Sequence, residues 1–229
     1  MNKQIRTLYK YVSLENEKEN SRVQKLLNNQ QLYLSNGKNF NDPFDLAVVS
    51  GQGKGYRKAE GLHILCLTKS YRKKLMWSHY AQSHKGICLT VKIDKNMVYP
   101  VCYTSKRVKE DSDIDAILHE RKKKGETEDN DNYSTLSKNK KIAYIKDKKW
   151  MDEREYRAVF DKDDERLLRH EGSDYFLPVR ITNVYLGVRF DENDEAVKNS
   201  IIEICKQQKI EIRQMVMDLK QYAINPKKI

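Results

Sequence analysis

The stretch "WMDEREYRAVF", residues 150–160, sets an apolar alternation against a run of charge. Side chains on a strand alternate between two faces, so residues two apart point the same way. Read as a strand, the stretch turns Tyr156, Ala158 and Phe160 towards a core and lines Glu153, Glu155 and Arg157 along the other side. A polar stripe on an otherwise apolar element is either a solvated edge or a working site. What surrounds the strand decides between them.

Upstream, "TLSKNKKIAYIKDKKW" predicts a helical lead-in, preceded by a polar, mobile surface insert at about 125–135 and a charged helix, "DSDIDAILHERKKKGE". Downstream come strands "FLPVRI" and "NVYLGV", a helix "ENDEAVKNSIIEICKQQ" capped by Asp191, and a strand "IEIRQMVMDL". At the other end, "TLYKYVSL" alternates as a first strand, with Leu8, Lys10 and Val12 opposite Tyr9 and Tyr11. "NSRVQKLLNN" predicts a helix capped by Asn20 or Ser21, with Val23, Leu26 and Leu27 on one face. "QLYLS" is a short strand and "NGKNFNDPFD" a turn-rich segment. "VSGQGKGYRK" is expected as a flexible loop, and its glycines match neither a Walker loop nor a dinucleotide fingerprint. "HILCLTKS", "ICLTVKID" and "MVYPVCYTS" are further strands. Between the first two, "KKLMWSHYAQSHKG" predicts a helix ended by Gly86, with Trp77, Tyr80, Ala81 and His84 on one face. The expected fold is one α+β domain over residues 1–229, its strands mostly antiparallel with helices interspersed.

The chain has 229 residues, enough to bury a sizeable core, and 34% of them are charged. A formal net charge of +11 attracts polyanions, which makes nucleic acid or a phosphorylated small molecule a candidate partner. A lysine-rich surface inherited from genome composition accounts for the same number equally well. Four cysteines lie far apart without a C-x-x-C pair, which argues for buried reduced thiols rather than a disulfide scaffold or zinc site. No apolar run reaches membrane-spanning length and the first residues hold no apolar signal core, so a cytoplasmic location without membrane contact is expected.

Three clusters can carry chemistry: "FNDPFD", "MWSHYAQSHKG" and "WMDEREYR". Each also has a plain structural reading. Asn41, Asp42 and Asp45 suit an Asp-Pro turn. His79 and His84 are five apart, wrong for a zincin, and a helical histidine beside Trp77 and Tyr80 is usually packed rather than ligating. Glu153 and Glu155 can pair with Arg154, Arg157 or the many lysines. Nothing resembles G-x-S-x-G, and no cysteine stands out as a nucleophile. No metal is expected.

The motif series is more specific than its parts. "LYKYVSL", "FNDPFD", "MWSHYAQSHKG", "W-x-x-E-x-E-Y-R" and "NVYLGV", in this order, resemble a bacterial family of unknown function over most of the chain. The resemblance implies a setting among phage-defence genes, with a toxin–antitoxin or other defence-system partner. The order strand, helix, short strand, central strands and E-x-E strand is more distantly similar to the ADP-ribosyltransferases, especially their DNA-modifying toxins. That likeness implies a split sheet around NAD as substrate. It places Lys10 or Tyr11 at the first-strand position, where the superfamily carries Arg or His. It places Ser78, His79 or Tyr80 at the middle position, here on a helix instead of a strand, and Glu155 at the late glutamate with Glu153 two residues before it.

The chemistry such a glutamate performs is general. Cleaving the nicotinamide–ribose bond passes through an oxocarbenium-like state, which a fixed carboxylate stabilises more than the ground state. Glu153 would position or deprotonate the acceptor, and Arg157 or a lysine would bind the pyrophosphate. Trp77, Tyr80 and Tyr11 would stack on nicotinamide or a base, with Asn41 and Asp42 near Glu155 and His79. The first reading is therefore an NAD-dependent ADP-ribosyltransferase or NAD-consuming effector acting on nucleic acid or protein. The second is a non-catalytic module that senses a nucleotide or nucleic acid. The third is a metal-dependent nuclease built on Asp42, Asp45, Glu153 and Glu155.

Overall fold

A computed structural model describes residues 4–50, 55–123 and 133–229. The insert expected at about 125–135 lies largely outside the described residues, as do the middle residues of "VSGQGKGYRK". The fold is α+β, with strands mostly antiparallel and helices between them, as the alternation predicts. Contacts group the chain into two compact units, each discontinuous in sequence. The first is Met1–Leu32, Leu67–Asp94 and Leu177–Ile229; the second is Tyr33–Cys66 and Lys95–Phe176.

In the first unit, strands run in the order Ile224–Lys228, Glu211–Met217, Arg180–Leu186, Ile87–Asp94, Ile5–Val12. All neighbours are antiparallel except Arg180–Leu186 with Glu211–Met217. Ile87–Asp94 is central, and its first five residues are all buried, because both faces of that strand are covered. Register sets the two faces. Tyr11, Cys88 and Tyr185 stand opposite one another and join Trp77, Ala81 and Met215 in one cluster. Leu8, Leu89, Val91 and Val184 occupy the other face, none more than 1% exposed.

Two helices of this unit, Glu17–Asn29 and Glu195–Gln207, pack on each other. Val23, Leu26 and Leu27 are buried as expected, but both caps lie elsewhere. Asn16, not Asn20 or Ser21, accepts the Glu19 amide, while the Glu19 carboxylate accepts the Glu15 amide. Asp194, not Asp191, accepts the amide of Ala196. In both cases the true cap is the acidic or amide residue immediately before a first-turn glutamate.

The "MWSHYA" helix is shorter than its pattern. It covers Lys74–Tyr80, and then Gln82, Ser83 and His84 all take left-handed φ angles of 48°, 50° and 71°. Trp77 and Ala81 are fully buried, but His84 leaves the helical face. Gly86 does not end the helix by a left-handed turn. It is needed for space, since a Cβ there would lie 2.2 Å from the Val12 carbonyl oxygen.

The second unit surrounds a core of Leu46, Val48, Ile64, Ile117, Tyr144 and Val159, among others. Ala47–Ser50 and Gly55–Lys58 pair as an antiparallel hairpin, so the outer parts of the expected loop are strand. Ile145–Asp147 pairs in parallel with Cys102–Thr104, where a helical lead-in was expected. That lead-in is broken into short helical turns at Lys138–Lys141 and Ile142–Tyr144. Glu155–Phe160 pairs antiparallel with Tyr99–Pro100, and all six of its residues are buried. Glu153 is not on this strand. It ends the turn Lys148–Glu153, and Arg154 at φ 47° swings the chain into the strand. Among the described residues no helix is long and apolar enough to cross a membrane.

Candidate functional site

The polar stripe is not a solvated edge: it is a network of buried charges inside the second unit. Its geometry begins at "FNDPFD". The Asp42 carboxylate accepts the Phe44 amide at 2.9 Å, and its carbonyl accepts the Asp45 amide at 3.1 Å. This turn aims Asp45, 3% exposed, at Arg157. Arg157 Nη1 and Nη2 donate to the two Asp45 oxygens at 2.8 and 2.6 Å. Nε and Nη2 donate to the two Glu155 oxygens at 2.7 and 2.9 Å, and Nη1 donates to the Ala143 carbonyl at 2.7 Å. A guanidinium has five N–H donors, and here all of them are used. The Phe40 ring lies against the guanidinium, 5.1 Å away.

Lys146 completes the network. Its Nζ donates to Glu153 at 2.6 Å and to Glu155 at 3.1 Å, with Asp45 at 3.8 Å and the Trp150 ring at 5.2 Å. Tyr103 Oη accepts the Glu155 amide at 2.8 Å. Three carboxylates thus face two cations. Removing either cation from so buried a cluster leaves carboxylates without compensation, whereas removing one carboxylate leaves two against two.

The charge states follow from these contacts. Burial alone would raise the Glu155 carboxyl, but Arg157 and then Lys146 outweigh it and hold the group at about 2. Burial likewise opposes the Lys146 charge, but Glu155, Asp45 and Glu153 prevail and keep its ammonium protonated far above neutrality. Burial and the Glu155 charge push the Tyr103 hydroxyl well up, so it stays neutral. A group whose folded value is depressed stabilises the fold above its ordinary value and stops doing so as pH falls through the depressed one. Glu155 should therefore add an acid-unfolding step between about 4.5 and 2. Equilibrium unfolding followed from pH 6 downwards should show it, and Glu155→Gln should flatten that segment. A wild-type curve unchanged between 4.5 and 2 would contradict the network.

The other expected site residues separate into two groups. Asn41 is exposed and Asp42 serves the turn, while Asp45 is the member of that motif that reaches Glu155. Lys10, Tyr11, Trp77, His79 and Tyr80 all belong to the first unit. There Tyr11 donates to the Ser70 carbonyl, Trp77 donates to the Tyr71 carbonyl, and their rings meet edge to face at 5.2 Å. Both are buried and occupied by that packing. His79 is exposed, and Lys10 and Tyr80 are half-buried.

Lys146 was missed altogether. Its signal was a single cation closing the apolar run "IAYI". Of the four carboxylates considered for a nuclease, Asp45, Glu153 and Glu155 do converge, but on Lys146 and Arg157. Among the described residues, no three His, Cys, Asp or Glu side chains are arranged to hold a metal ion.

A family model described as a protein of unknown function, DUF2971, matches residues 76–158. The chain is similar to that family. The matched stretch opens at Met76 in the "MWSHYA" helix and closes at Ala158 on the Glu155 strand, so it holds Lys146, Glu153, Glu155 and Arg157. Asp45 lies outside it. No curated protein and no solved structure matches the chain.

Proposed function

We propose that this protein is a binding module for phosphate-bearing ligands, nucleotides or nucleic acid, in which the E-x-E motif is structural. The observation that carries this reading is the saturation of Glu155. Glycosyl transfer from NAD needs a carboxylate turned to the ribose, and a base needs a lone pair free to take a proton. Both Glu155 oxygens accept from Arg157, and one also accepts from Lys146. A carboxyl held at about 2 is a poor base at neutral pH.

The same burial sharpens the surface charge. Among the described residues the buried charged side chains are four carboxylates and three cations, which leaves a formal +12 for the rest of the chain. Such an exterior favours polyanions through counterion release, with affinity falling by roughly 0.9 log units per neutralised phosphate for each log unit of salt.

Incubating the purified protein with NAD, in the presence and absence of DNA, RNA and cell extract, should release no nicotinamide. Labelled oligonucleotides should bind, and more weakly as salt rises. Nicotinamide release that Glu155→Gln abolishes in a folded protein would overturn the reading in favour of an ADP-ribosyltransferase or NAD hydrolase. Absence of binding to any nucleotide or nucleic acid would overturn it outright.

A further inference from the structure

The first unit holds a cavity of about 760 Å³, within the range of small-molecule sites. Its wall combines three cations, Lys74, Arg189 and Lys220, with the apolar surfaces of Met217 and Tyr222 and with His84. The one carboxylate on the wall, Asp218, accepts the amides of Lys220 and Gln221 and the side-chain amide of Asn225, so it shapes the loop. Lys74 lies 5.7 Å from the Tyr222 ring, and that ring is 98% exposed.

A strained stretch of the first unit ends at this wall. Three consecutive left-handed residues, each costing on the order of 1–2 kcal/mol, end at His84. The surroundings hold them there. The His84 amide donates to Trp77, the Arg189 amide donates to the His84 carbonyl, and the His84 ring lies parallel to Trp77. His84 Nδ1 is buried without a hydrogen-bond partner among the described residues. A buried orphan atom costs stability, and strain persists only where packing enforces it, so the pair marks a position kept for something other than the fold. Burial, and then Arg189, hold the imidazole below its ordinary value, which leaves it neutral and able to share one hydrogen bond per nitrogen.

The geometry points to this cavity as the binding site for a nucleoside phosphate. The phosphate sits among Lys74, Arg189 and Lys220, and the base lies against Tyr222 and Met217, with His84 part of the same wall. The cations supply charge-assisted bonds to phosphate oxygens and the ring supplies a sequence-tolerant stacking surface. This assignment rests on the reading of the chain as a binding module and names where, and for what, that module is built. Arg189 is already paired with Glu192 across the surface at 2.7 Å, so Lys74 and Lys220 carry more of the phosphate.

Calorimetric titration of the full chain with ADP, ATP, NAD, adenosine and inorganic phosphate tests it, together with Lys220→Glu and Tyr222→Ala. Both residues are exposed, so neither substitution threatens folding. Lys162→Glu, an exposed change in the other unit, controls for net charge. The expected result is nucleotide binding weakened about tenfold by Lys220→Glu, several-fold by Tyr222→Ala and not by Lys162→Glu, with adenosine and phosphate each weaker alone. Nucleotide binding that survives both cavity variants overturns this site and leaves the binding reading standing. So does a wild-type chain that binds nucleic acid but no free nucleotide. A chain that binds neither overturns both.

Discussion

Arg157→Ala should destabilise the protein by about 3–5 kcal/mol, the range for removing one partner of a buried ion pair. Five hydrogen bonds vanish with the guanidinium, and Asp45, Glu153 and Glu155 are left facing Lys146 alone. For a chain of this length the melting temperature should fall on the order of 10 °C. Arg157→Lys should recover only part of the loss. An ammonium keeps the charge but offers three donors from one point, and cannot grip two carboxylates side by side. Denaturant unfolding of wild type and both variants measures the order. Arg157→Ala within about 1 kcal/mol of wild type would mean that the network is not holding the second unit together.

Gly187→Ala should be the most damaging single methyl group in the first unit. A Cβ there would lie 2.0 Å from the His84 carbonyl oxygen, 2.7 Å from its carbon and 2.9 Å from the Gly86 oxygen. All three are backbone atoms, so no side chain can swing aside. Gly187 does not need a left-handed φ, and the cost is crowding rather than torsion. Overpacking commonly costs about 1–3 kcal/mol, and this case should sit at or above the top of that range. The clash pushes on His84, whose carbonyl also accepts the Arg189 amide. Soluble yield should fall, and so should the Trp77 share of the fluorescence, read in a Trp150→Phe background. A variant with wild-type stability and an unmoved spectrum would contradict the close approach.

Much of the fold was legible because period is a local property. The strand around Leu8 alternates and that around Cys88 runs apolar at its start, and Val23, Leu26 and Leu27 repeat at helical spacing, so burial could be read directly. Boundaries were harder. Trp77, Ala81 and His84 continue a helical spacing that the backbone abandons after Tyr80, since three left-handed residues leave no mark in a hydropathy pattern. The candidate site failed in a more instructive way. Glu155 and Arg157 were visible as neighbours on one face, but their partners Asp45 and Lys146 were not, because pairing across a fold has no period at all. A stripe of charge beside a core reads the same from the sequence whether water or a matching set of ions will cover it.

The reach of Arg157 also sets an order of events at the ribosome. Its bonds to Asp45 span 112 residues, and the whole of Leu67–Asp94, which belongs to the other unit, is made in between. At roughly 5–20 residues per second, the Asp45 carboxylate waits on the order of 5–20 s for its partner to be synthesised. Leu46 and Val48, beside it in sequence, meet their first core partners, Ala59, Leu62 and Ile64, well before that. The buried charge of Asp45 is therefore matched only when the chain returns at Lys146 to Arg157, long after the apolar residues around it have been made.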